Sequence, residues 1–572
     1  MAVVGGPYLW YYFALGPSPA WLYAVVAYVG HLSALAYLTF LLLVPVIALA
    51  PRPRLVLPLG VVAASAGVSL LLLDTLLFAA NRYHLDLVTA ALLEPATWAF
   101  LALYFLVGLA VEAMLAGWVW KRTAFPARYR AGRYLALGLA ACFLAGHLVH
   151  MIAYAYYYVP VTSFTRYLPL YFPLQEPKRL AKLRAPGGRH LLVPALGRMP
   201  EGELRYPLAP LRCEPHQPLL NVLLVVIDGM RADALTPTAA PRLAAFASGA
   251  VRFDQHFSGG NVSRPGMFSL FYSLPAPYWH AFANFDQPPV LMDLFRQYGY
   301  ELGVFASAPV YSKVVGLDRT ALARIPNLRL ETVSPYPGLS GKDRTLTEEW
   351  LAWLGGRDPS RPFFGFLYYD AAMGPDSPER YAAVPLQPGA SDTARLRNRY
   401  LNAVHHIDSL VGRVFDDLER RRLLDRTLVI VTSDHGLQFD EYGLDFDGHG
   451  TGFTRSQLQT PLVIRWPGRP SGRVDRRTSH FDVAPTLLTR LFGCANPASD
   501  YASGDDLFGN KQWEWVIAAD YTNWALVEPG QVTVVLSRGY EIRDENYRLI
   551  LHATFPQERL RAALREMSRF YR

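Results

Sequence analysis

Cysteine is scarce in this sequence, with 3 residues among 572, and that scarcity excludes a small disulfide-rich scaffold. Cys142 falls inside a long apolar run, so Cys213 and Cys494 are the pair that a bridge could join, and two unpaired thiols are the alternative. The sequence also lacks internal repeats and any motif typical of nucleic-acid binding. Neither a repeat architecture nor a nucleic-acid partner is therefore expected.

No cleavable signal peptide is expected from the N-terminal sequence. The N-terminus has no basic segment ahead of its first apolar stretch, and Pro17 and Pro19 interrupt that stretch. Charged residues make up only 18% of the chain, whereas hydrophobic residues make up 52%. This balance predicts a membrane part in addition to at least one folded domain outside the membrane.

The hydrophobic excess is concentrated before Pro160, in runs that each reach the roughly 20 residues a membrane span needs. These runs fall at about residues 21–50, 55–80, 96–118 and 134–158. Residues 8–16 form a shorter apolar stretch, so the sequence leaves the number of spans at four or five.

The loops between these runs differ in charge, which predicts their orientation. Basic residues occupy two loops, at Arg52 and Arg54 and at Lys121, Arg122, Arg128, Arg130 and Arg133, whereas residues 81–95 contain Arg82 alone. Because basic loops stay in the cytoplasm, the positive-inside rule places everything after residue 160 outside it. We therefore expect the C-terminal part of the chain on the outer side of the membrane.

The segment that follows the last span, residues 161–219, is a connector rich in proline and tyrosine. Its basic positions are Arg166, Lys178, Arg179, Lys182, Arg184 and Arg189. An ordinary positive flank is the alternative interpretation, but such a flank belongs on the cytoplasmic side. The pattern therefore favours contact between Arg166, Lys178 and Arg179 and an anionic, phosphorylated membrane lipid.

After residue 220 the sequence alternates between strand-like and helix-like stretches. The predicted strands are Asn221–Ile227, Leu302–Ser307, Phe363–Tyr369, Leu428–Thr432 and Pro461–Trp466, and a long amphipathic stretch covers Tyr400–Leu424. This alternation predicts an α/β domain over residues 220–510 with a mainly parallel central sheet. Residues 511–572 are expected to form a small appended sheet and a terminal helix.

Two of these strands are followed by residue types that commonly bind metals. Asp228 follows the first strand, and Asp434 and His435 follow the fourth. Ligands bind at the carboxyl ends of strands in such sheets, so the three side chains are expected to hold one divalent cation, Mg²⁺, Mn²⁺ or Zn²⁺. The alternative for Asp228 is a helix N-cap. His449 lies in the Gly-rich turn 447–451 and is expected to contact the substrate, with a structural loop histidine as the alternative.

A nucleophilic hydroxyl is expected ahead of the apolar run Gly266–Leu274, which reads as a helix entered through Ser263 and Pro265. A helix N-terminus favours a charged alkoxide and an incoming anion. Ser258 is the predicted nucleophile and Ser263 the second candidate, because Ser263 is also explained as the N-cap of the helix.

Several motifs together resemble the sulfatase and alkaline-phosphatase superfamily. They are Val226–Gly229, Ser433–Gly436, Gly448–Gly450, Pro461–Gly468 and Thr478–Leu488. Further segments are similar to the YejM/PbgA family of inner-membrane proteins: Tyr28–His31, Leu71–Asp74, Arg82–Leu85, Phe268–Tyr272, Gln457–Leu462 and Asn496–Tyr501.

The resemblance implies a five-span anchor, a periplasmic hydrolase-like domain and binding of lipopolysaccharide at the juncture, with Lys178 and Arg179 near the expected basic pair. It also implies a role in lipopolysaccharide or cardiolipin balance through inner-membrane partner proteins. One departure bears on catalysis. Related transferases carry a histidine in a His-Gly-Pro turn after the third strand, where this chain has Met373.

Ionisable residues inside the predicted spans are costly and need partners. Asp74 and Glu112 are expected to face other helices, with His31, His147 and His150 as candidate partners.

Two functions remain open on the sequence. The first is a metal-dependent phosphate or sulfate ester hydrolase or transferase acting in envelope lipid homeostasis. The second is a catalytically silent lipopolysaccharide sensor that regulates lipid synthesis through membrane partners. The complete set of candidate metal ligands favours the hydrolase or transferase, and Met373 in place of a histidine favours the sensor.

Overall fold

A computed structural model of the chain describes residues 1–172 and 204–571, apart from positions 15–19, 42, 51, 82–83, 124–128, 156–160, 162, 216, 309, 311–314, 327, 329–331, 444–445 and 537–538. The chain divides into two compact units, Met1–Leu204 with Tyr571–Arg572, and Arg205–Phe570.

The first unit is helical over the residues that the structure describes. Its helices are α1 (Gly6–Phe13), α2 (Trp21–Leu41), α3 (Val44–Leu49), α4 (Pro53–Asn81), α5 (Leu87–Ala91), α6 (Pro95–Thr123) and α7 (Tyr129–Ala155). Helices α2, α4, α6 and α7 contain the four stretches long and apolar enough to cross a membrane. Helix α1 has 8 residues, which is far below the roughly 20 that a fifth crossing would need.

Asp74 of α4 is held by residues other than the histidines expected from the sequence. Its carboxylate accepts hydrogen bonds from the Tyr8 hydroxyl of α1 and from the backbone N–H of Leu85, and its Oδ2 lies 2.8 Å from Nδ1 of His84. His31 instead has its Nε2 atom 2.7 Å from the carbonyl oxygen of Pro169. These contacts satisfy a buried carboxylate within a helical bundle.

The second unit is built on a seven-stranded sheet. Its strands are β1 (Asn221–Ile227), β2 (Val251–Phe257), β3 (Glu301–Ala306), β4 (Phe363–Tyr369), β5 (Thr427–Thr432), β8 (Leu462–Arg465) and β9 (Gly472–Ser479). They lie in the order β3-β4-β1-β5-β8-β2-β9. Strands β3, β4, β1 and β5 run parallel, β8 is antiparallel to β5 and β2, and β9 is parallel to β2. The predicted mainly parallel α/β fold is confirmed.

The centre of the sheet is apolar because helices cover both of its faces. Every residue of β1, β4 and β5 is buried. The helices of the unit are α8 (Pro241–Ser248), α9 (Ser263–Tyr272), α10 (Trp279–Asn284), α11 (Val290–Gln297), α12 (Gly338–Gly356), α13 (Asp392–Arg420), α14 (Arg455–Leu458), α15 (Val483–Arg490) and α16 (Gln557–Ser568).

Helix α13 is the amphipathic helix expected at Tyr400–Leu424, but it begins at Asp392 and ends at Arg420. The earlier start has a local cause, since the Ser391 side chain caps the helix by accepting a hydrogen bond from the backbone N–H of Ala394 at 3.2 Å.

The remaining strands lie outside the main sheet. A hairpin pairs β6 (Gln438–Phe439) with β7 (Asp447–Gly448), and an antiparallel sheet contains β10 (Val516–Ala519), β11 (Trp524–Glu528), β12 (Gln531–Leu536) and β13 (Gly539–Asp544). Cys213 and Cys494 form a disulfide bond. Of the two alternatives left open by the sequence, the bridged pair is therefore the one present.

Candidate functional site

The acidic residues that follow β1 and β5 meet at one edge of the main sheet. Val226 of β1 is in register with Thr432 of β5, and Asp228 and Asp434 each follow two positions later. One ligand atom from each of Asp228, Asp434 and His435 lies within 4.8 Å of the others, and all three residues are buried. The structure thus brings together the three residues that the sequence selected.

The donor atoms of this cluster suit a divalent cation. Among the residues that the structure describes, no hydrogen-bond partner reaches the buried Oδ1 atom of Asp228, which lies 3.4 Å from Nε2 of His435. The Nδ1 atom of His435 lies 2.9 Å from the carbonyl oxygen of Gly436, so an N–H there leaves a lone pair on Nε2. Burial, and then the charge of Asp434, raise the pKa of Asp228. A cation between these atoms would relieve that cost.

Tyr368 joins the two carboxylates, and sequence reasoning missed it. Its hydroxyl lies 2.9 Å from Oδ2 of Asp228 and 2.7 Å from Oδ2 of Asp434. A phenol has one proton and donates to one carboxylate at a time. Tyr368 lies in β4, which reads as one continuous apolar strand, so the sequence carries no signal for the direction of this hydroxyl.

The two serines considered as nucleophile lie in different surroundings. Ser258 is fully buried; its hydroxyl donates to the backbone carbonyl oxygen of Asp434 and accepts a hydrogen bond from the N–H of Gly260 at 3.1 Å. Both bonds are to backbone groups. Ser258 therefore joins two loops, and neither of these hydrogen bonds is to a ligand atom of the cluster.

Ser263 is the serine that contacts the cluster, with its Oγ atom 3.3 Å from Nε2 of His435. It is the first residue of α9, whose N-cap residue is Val262, and no side chain caps that helix end. The N-cap interpretation of Ser263 was therefore wrong. Because Ser263 lies at a helix N-terminus, the helix dipole favours negative charge on its oxygen.

Gly266 lets the start of α9 approach the cluster. An added Cβ at Gly266 would lie 2.2 Å from the backbone carbonyl oxygen of Asp434, which is far inside van der Waals contact. The helix N-terminus therefore packs directly on the backbone that carries the metal-type ligands.

His449 lies beside His435, as its expected role at the site requires. The two rings stack with centroids 4.7 Å apart and planes 10° apart. Burial, and then the neighbouring His435, lower the pKa of His449 to about 4, although Asp434 acts in the opposite direction. His449 is therefore a neutral imidazole near pH 7, able to donate one N–H and to accept one hydrogen bond.

Arg264 supplies positive charge next to Ser263 and was not singled out by the sequence. Its guanidinium carbon lies 4.6 Å from the ring centroid of Trp279 and 4.7 Å from that of Tyr521, and its Nη2 donates to the Tyr521 carbonyl oxygen at 3.3 Å. Its position directly after Ser263, at a helix N-terminus, was the signal that could have identified it.

Met373 occupies the position at which the resemblance expected a histidine. An added Cβ on Gly229, the residue after Asp228, would lie 3.3 Å from the Met373 sulfur atom. A thioether donates no hydrogen bond. This side of the cluster therefore lacks the N–H donor that a histidine would provide at that position.

The predicted lipid-binding residues belong to the connector that follows the last span. Lys178 and Arg179 lie outside the described residues, and the backbone of Arg166 falls in the 3₁₀ turn Ser163–Tyr167 of the first unit. Their contact with lipid remains a prediction.

Two family models match the chain. The sulfatase model matches residues 220–493, and a domain of unknown function, DUF3413, matches residues 1–213. The sulfatase match covers the main sheet and all three residues of the cluster.

Relatives align over nearly the full length. The inner membrane protein YejM of Salmonella typhimurium is 29% identical over 557 residues, covering 93% of this chain and 89% of that protein. An uncharacterized protein of Haemophilus influenzae is 27% identical over 542 residues, covering 92% and 86%. Among solved structures, the phosphonate monoester hydrolase of Agrobacterium radiobacter aligns with a TM-score of 0.46 at 18% identity, over 60% of this chain and 94% of that one.

Proposed function

We propose that this chain, which belongs to the YejM family of inner-membrane proteins with a sulfatase-type domain, hydrolyses or transfers a phosphate or sulfate ester. The observation that carries the proposal is the cluster of Asp228, Asp434 and His435, whose ligand atoms lie within 4.8 Å of one another. A nucleophilic hydroxyl lies beside it, at 3.3 Å from His435.

Asp228, Asp434 and His435 would hold one divalent cation. When bound, such a cation would supply a lower pKa for a neighbouring hydroxyl and positive charge for the ester oxygens. Tyr368 keeps the two carboxylates in place through its hydroxyl. This role matches the outer-shell partners that orient ligands in metal sites.

Ser263, in preference to Ser258, is the nucleophile in this proposal. Its oxygen forms a bond to the phosphorus or sulfur of the ester, its proton leaves, and the bond to the leaving alkoxide breaks as that oxygen takes up a proton. Water, or a second hydroxyl in a transfer reaction, then cleaves the seryl ester. Arg264 pairs with the anionic group, and His449 donates a hydrogen bond to one of its oxygens.

The substrate in this proposal is an envelope lipid, and the second unit works in the periplasm. The disulfide between Cys213 and Cys494 supports an oxidising compartment. The basic loops between the spans support the same orientation by the positive-inside rule. Arg166, Lys178 and Arg179 would contact the phosphates of lipopolysaccharide or cardiolipin next to the membrane surface.

Turnover of p-nitrophenyl phosphate and p-nitrophenyl sulfate by the full-length protein in detergent tests this proposal. Ser263→Ala should reduce turnover at least a hundredfold, because the bond-forming oxygen is lost, while Ser258→Ala should keep more of it. If a folded Ser258→Ala variant is inactive and Ser263→Ala retains full activity, Ser258 is the nucleophile. If neither substitution changes the rate, the hydrolase proposal fails.

A second function has its own supporting observation, the methionine at position 373 beside Gly229. In this alternative the cluster is a structural metal site, and the protein senses lipopolysaccharide and signals to an inner-membrane regulatory protein. Complementation of a strain lacking the protein separates the two. Normal envelope lipid levels with Ser263→Ala would favour the sensor, and failure of that variant would favour the enzyme.

A further inference from the structure

A cavity of about 510 Å³ lies beside the four-stranded sheet, and none of the three cluster residues lines it. Its walls are formed by parts of β2 and β9, the start of α14, the turn between β11 and β12, and the turn that follows β13. The lining residues used below are Phe257, Phe453, Arg455, Arg477, Trp513 and Val527. Its size falls in the range of small-molecule binding sites.

Arg477 of β9 is the unusual member of this lining. Its side chain is 8% exposed, and its guanidinium carbon lies 4.4 Å from the ring centroid of Phe257. Its Nη1 atom donates to the carbonyl oxygen of Val527 at 3.1 Å. Within the part of the chain that the structure describes, this is its one hydrogen bond and it has no ion pair.

Four carboxylates line the cavity, those of Asp475, Glu528, Asp544 and Glu545. Glu528 forms an ion pair with Arg559 and accepts a hydrogen bond from Nε2 of Gln531 at 2.9 Å. Asp544 accepts backbone N–H groups of its own turn, from Asn546 and Arg548. Asp475 and Glu545 are exposed to solvent, and within the described part of the chain none of the four carboxylates forms an ion pair with Arg477.

A second cation lies near Arg477. Arg455 lines the same cavity, and its Nε donates to Oε1 of Gln459 at 2.6 Å, which is an uncharged partner. Burial, and then the charge of Arg455, lower the pKa of Arg477 to about 10, although the charge of Glu528 acts in the opposite direction. A buried cation next to a second cation is costly without an anion, and such arrangements concentrate at functional sites.

We propose that this cavity binds a small organic oxyanion, a phosphonate or phosphate monoester with a flat apolar group, through Arg477 and Arg455. A guanidinium presents its N–H groups as a planar fork that matches such an anion. Phe257, Phe453 and Trp513 are among the residues that line the cavity, and their apolar atoms would pack against the flat group. None of the residues of the metal-type cluster, Asp228, Asp434 and His435, lines this cavity. The proposal does not rest on ester hydrolysis.

Isothermal titration calorimetry of the full-length protein in detergent, with phenylphosphonate as the probe, tests this inference. The probe cannot be turned over as an ester, and inorganic phosphate serves as the probe without a ring. We expect phenylphosphonate to bind with a Kd below about 1 mM and inorganic phosphate about tenfold more weakly. Asp434→Asn, which disrupts the other anion site, should leave phenylphosphonate binding unchanged.

The variant Arg477→Gln should weaken phenylphosphonate binding at least tenfold, because the charged fork is lost. Arg473→Gln is the matched control: Arg473 lies on the same strand, is exposed, and pairs with Asp254, so its loss should change nothing. Arg455→Gln, at an exposed position, should weaken binding about threefold and decides the matter if Arg477→Gln does not fold.

Three outcomes would overturn the proposal. The first is the absence of phenylphosphonate binding to the wild-type protein at 10 mM. The second is unchanged affinity in a folded Arg477→Gln variant, or in Arg455→Gln where Arg477→Gln is unfolded. The third is loss of binding in Asp434→Asn, which would place the probe at the metal-type cluster and leave Arg477 solvated by water.

Discussion

The Oγ atom of Ser263 lies 3.3 Å from Nε2 of His435, although the two residues are 172 positions apart in the chain. One residue begins helix α9 and the other follows strand β5, so the contact depends on how that helix packs against the sheet. It connects the candidate nucleophile to the candidate metal ligands.

Gly266→Ala should disturb the site, because its methyl group would overlap the carbonyl oxygen of Asp434 unless α9 moves. Overpacking of this kind costs about 1–3 kcal/mol, and we expect a lower thermal midpoint together with a large loss of turnover. Gly356→Ala is the control, since an added Cβ there meets no atom within 4 Å. Equal effects of the two substitutions would contradict the packing argument.

Tyr368→Phe should lower metal affinity by about 10–100-fold, the usual effect of removing an outer-shell partner. The phenylalanine ring still fills the core, so the thermal midpoint of the metal-free protein should change little. Tyr369→Phe is a matched control, because the neighbouring hydroxyl pairs with Oγ1 of Thr347 and not with the cluster. Metal titrations of both variants provide the measurement; unchanged affinity in Tyr368→Phe would argue against its orienting role.

The raised pKa of Asp482 predicts that the stability of the folded chain depends on pH. Burial raises the pKa of Asp482 to about 6, although it accepts hydrogen bonds from the N–H groups of Ser479, Asp505 and Trp513. The folded chain therefore holds this proton more tightly than the unfolded chain does. Its contribution to stability is largest at low pH and is lost as the pH rises from about 4 to 6.

Unfolding of the wild-type protein and of Asp482→Asn should accordingly be compared across pH. The stability of the wild type relative to the variant should fall by on the order of 3 kcal/mol between about pH 4 and 6, and stay constant above about pH 7. A relative stability that rises over the same range would show that Asp482 has a lowered pKa.

Charge reversal at Lys178 and Arg179 tests the proposed lipid contact. Lys178→Glu combined with Arg179→Glu should weaken binding to vesicles that contain cardiolipin or lipopolysaccharide, because attraction to anionic headgroups contributes about 1 kcal/mol per basic residue. Turnover of soluble p-nitrophenyl esters should be unchanged. Binding that resists this reversal would mean that other residues contact the lipid.

Much of the fold could be predicted from the sequence because the buried strands are continuous apolar runs. Strands β1 and β4 coincide with the predicted Asn221–Ile227 and Phe363–Tyr369. Strand β9 was missed, because Gly472–Ser479 lies at the edge of the sheet and is mostly polar. Edge strands carry a weaker apolar pattern than central ones.

The site was predicted in part, for a related reason. Parallel strands bring their carboxyl ends to one edge, so Asp228 and Asp434 could be placed together from sequence alone. The choice between Ser258 and Ser263 could not be made in that way, because it depends on the packing of α9 against the Asp434 backbone. The partners of Asp74 likewise depend on the positions of Tyr8 and His84, which no periodicity reveals.

The metal content of the purified full-length protein tests the central claim most directly. After equilibration with Mg²⁺, Mn²⁺ or Zn²⁺ and removal of excess ion, elemental analysis should find about one equivalent of one metal per chain in the wild type. Asp434→Asn and His435→Ala should lose it, whereas Asp482→Asn, which removes a buried carboxylate outside the cluster, should retain it. A wild-type protein that retains none of the three metals, or equal metal content in all four proteins, would contradict the account.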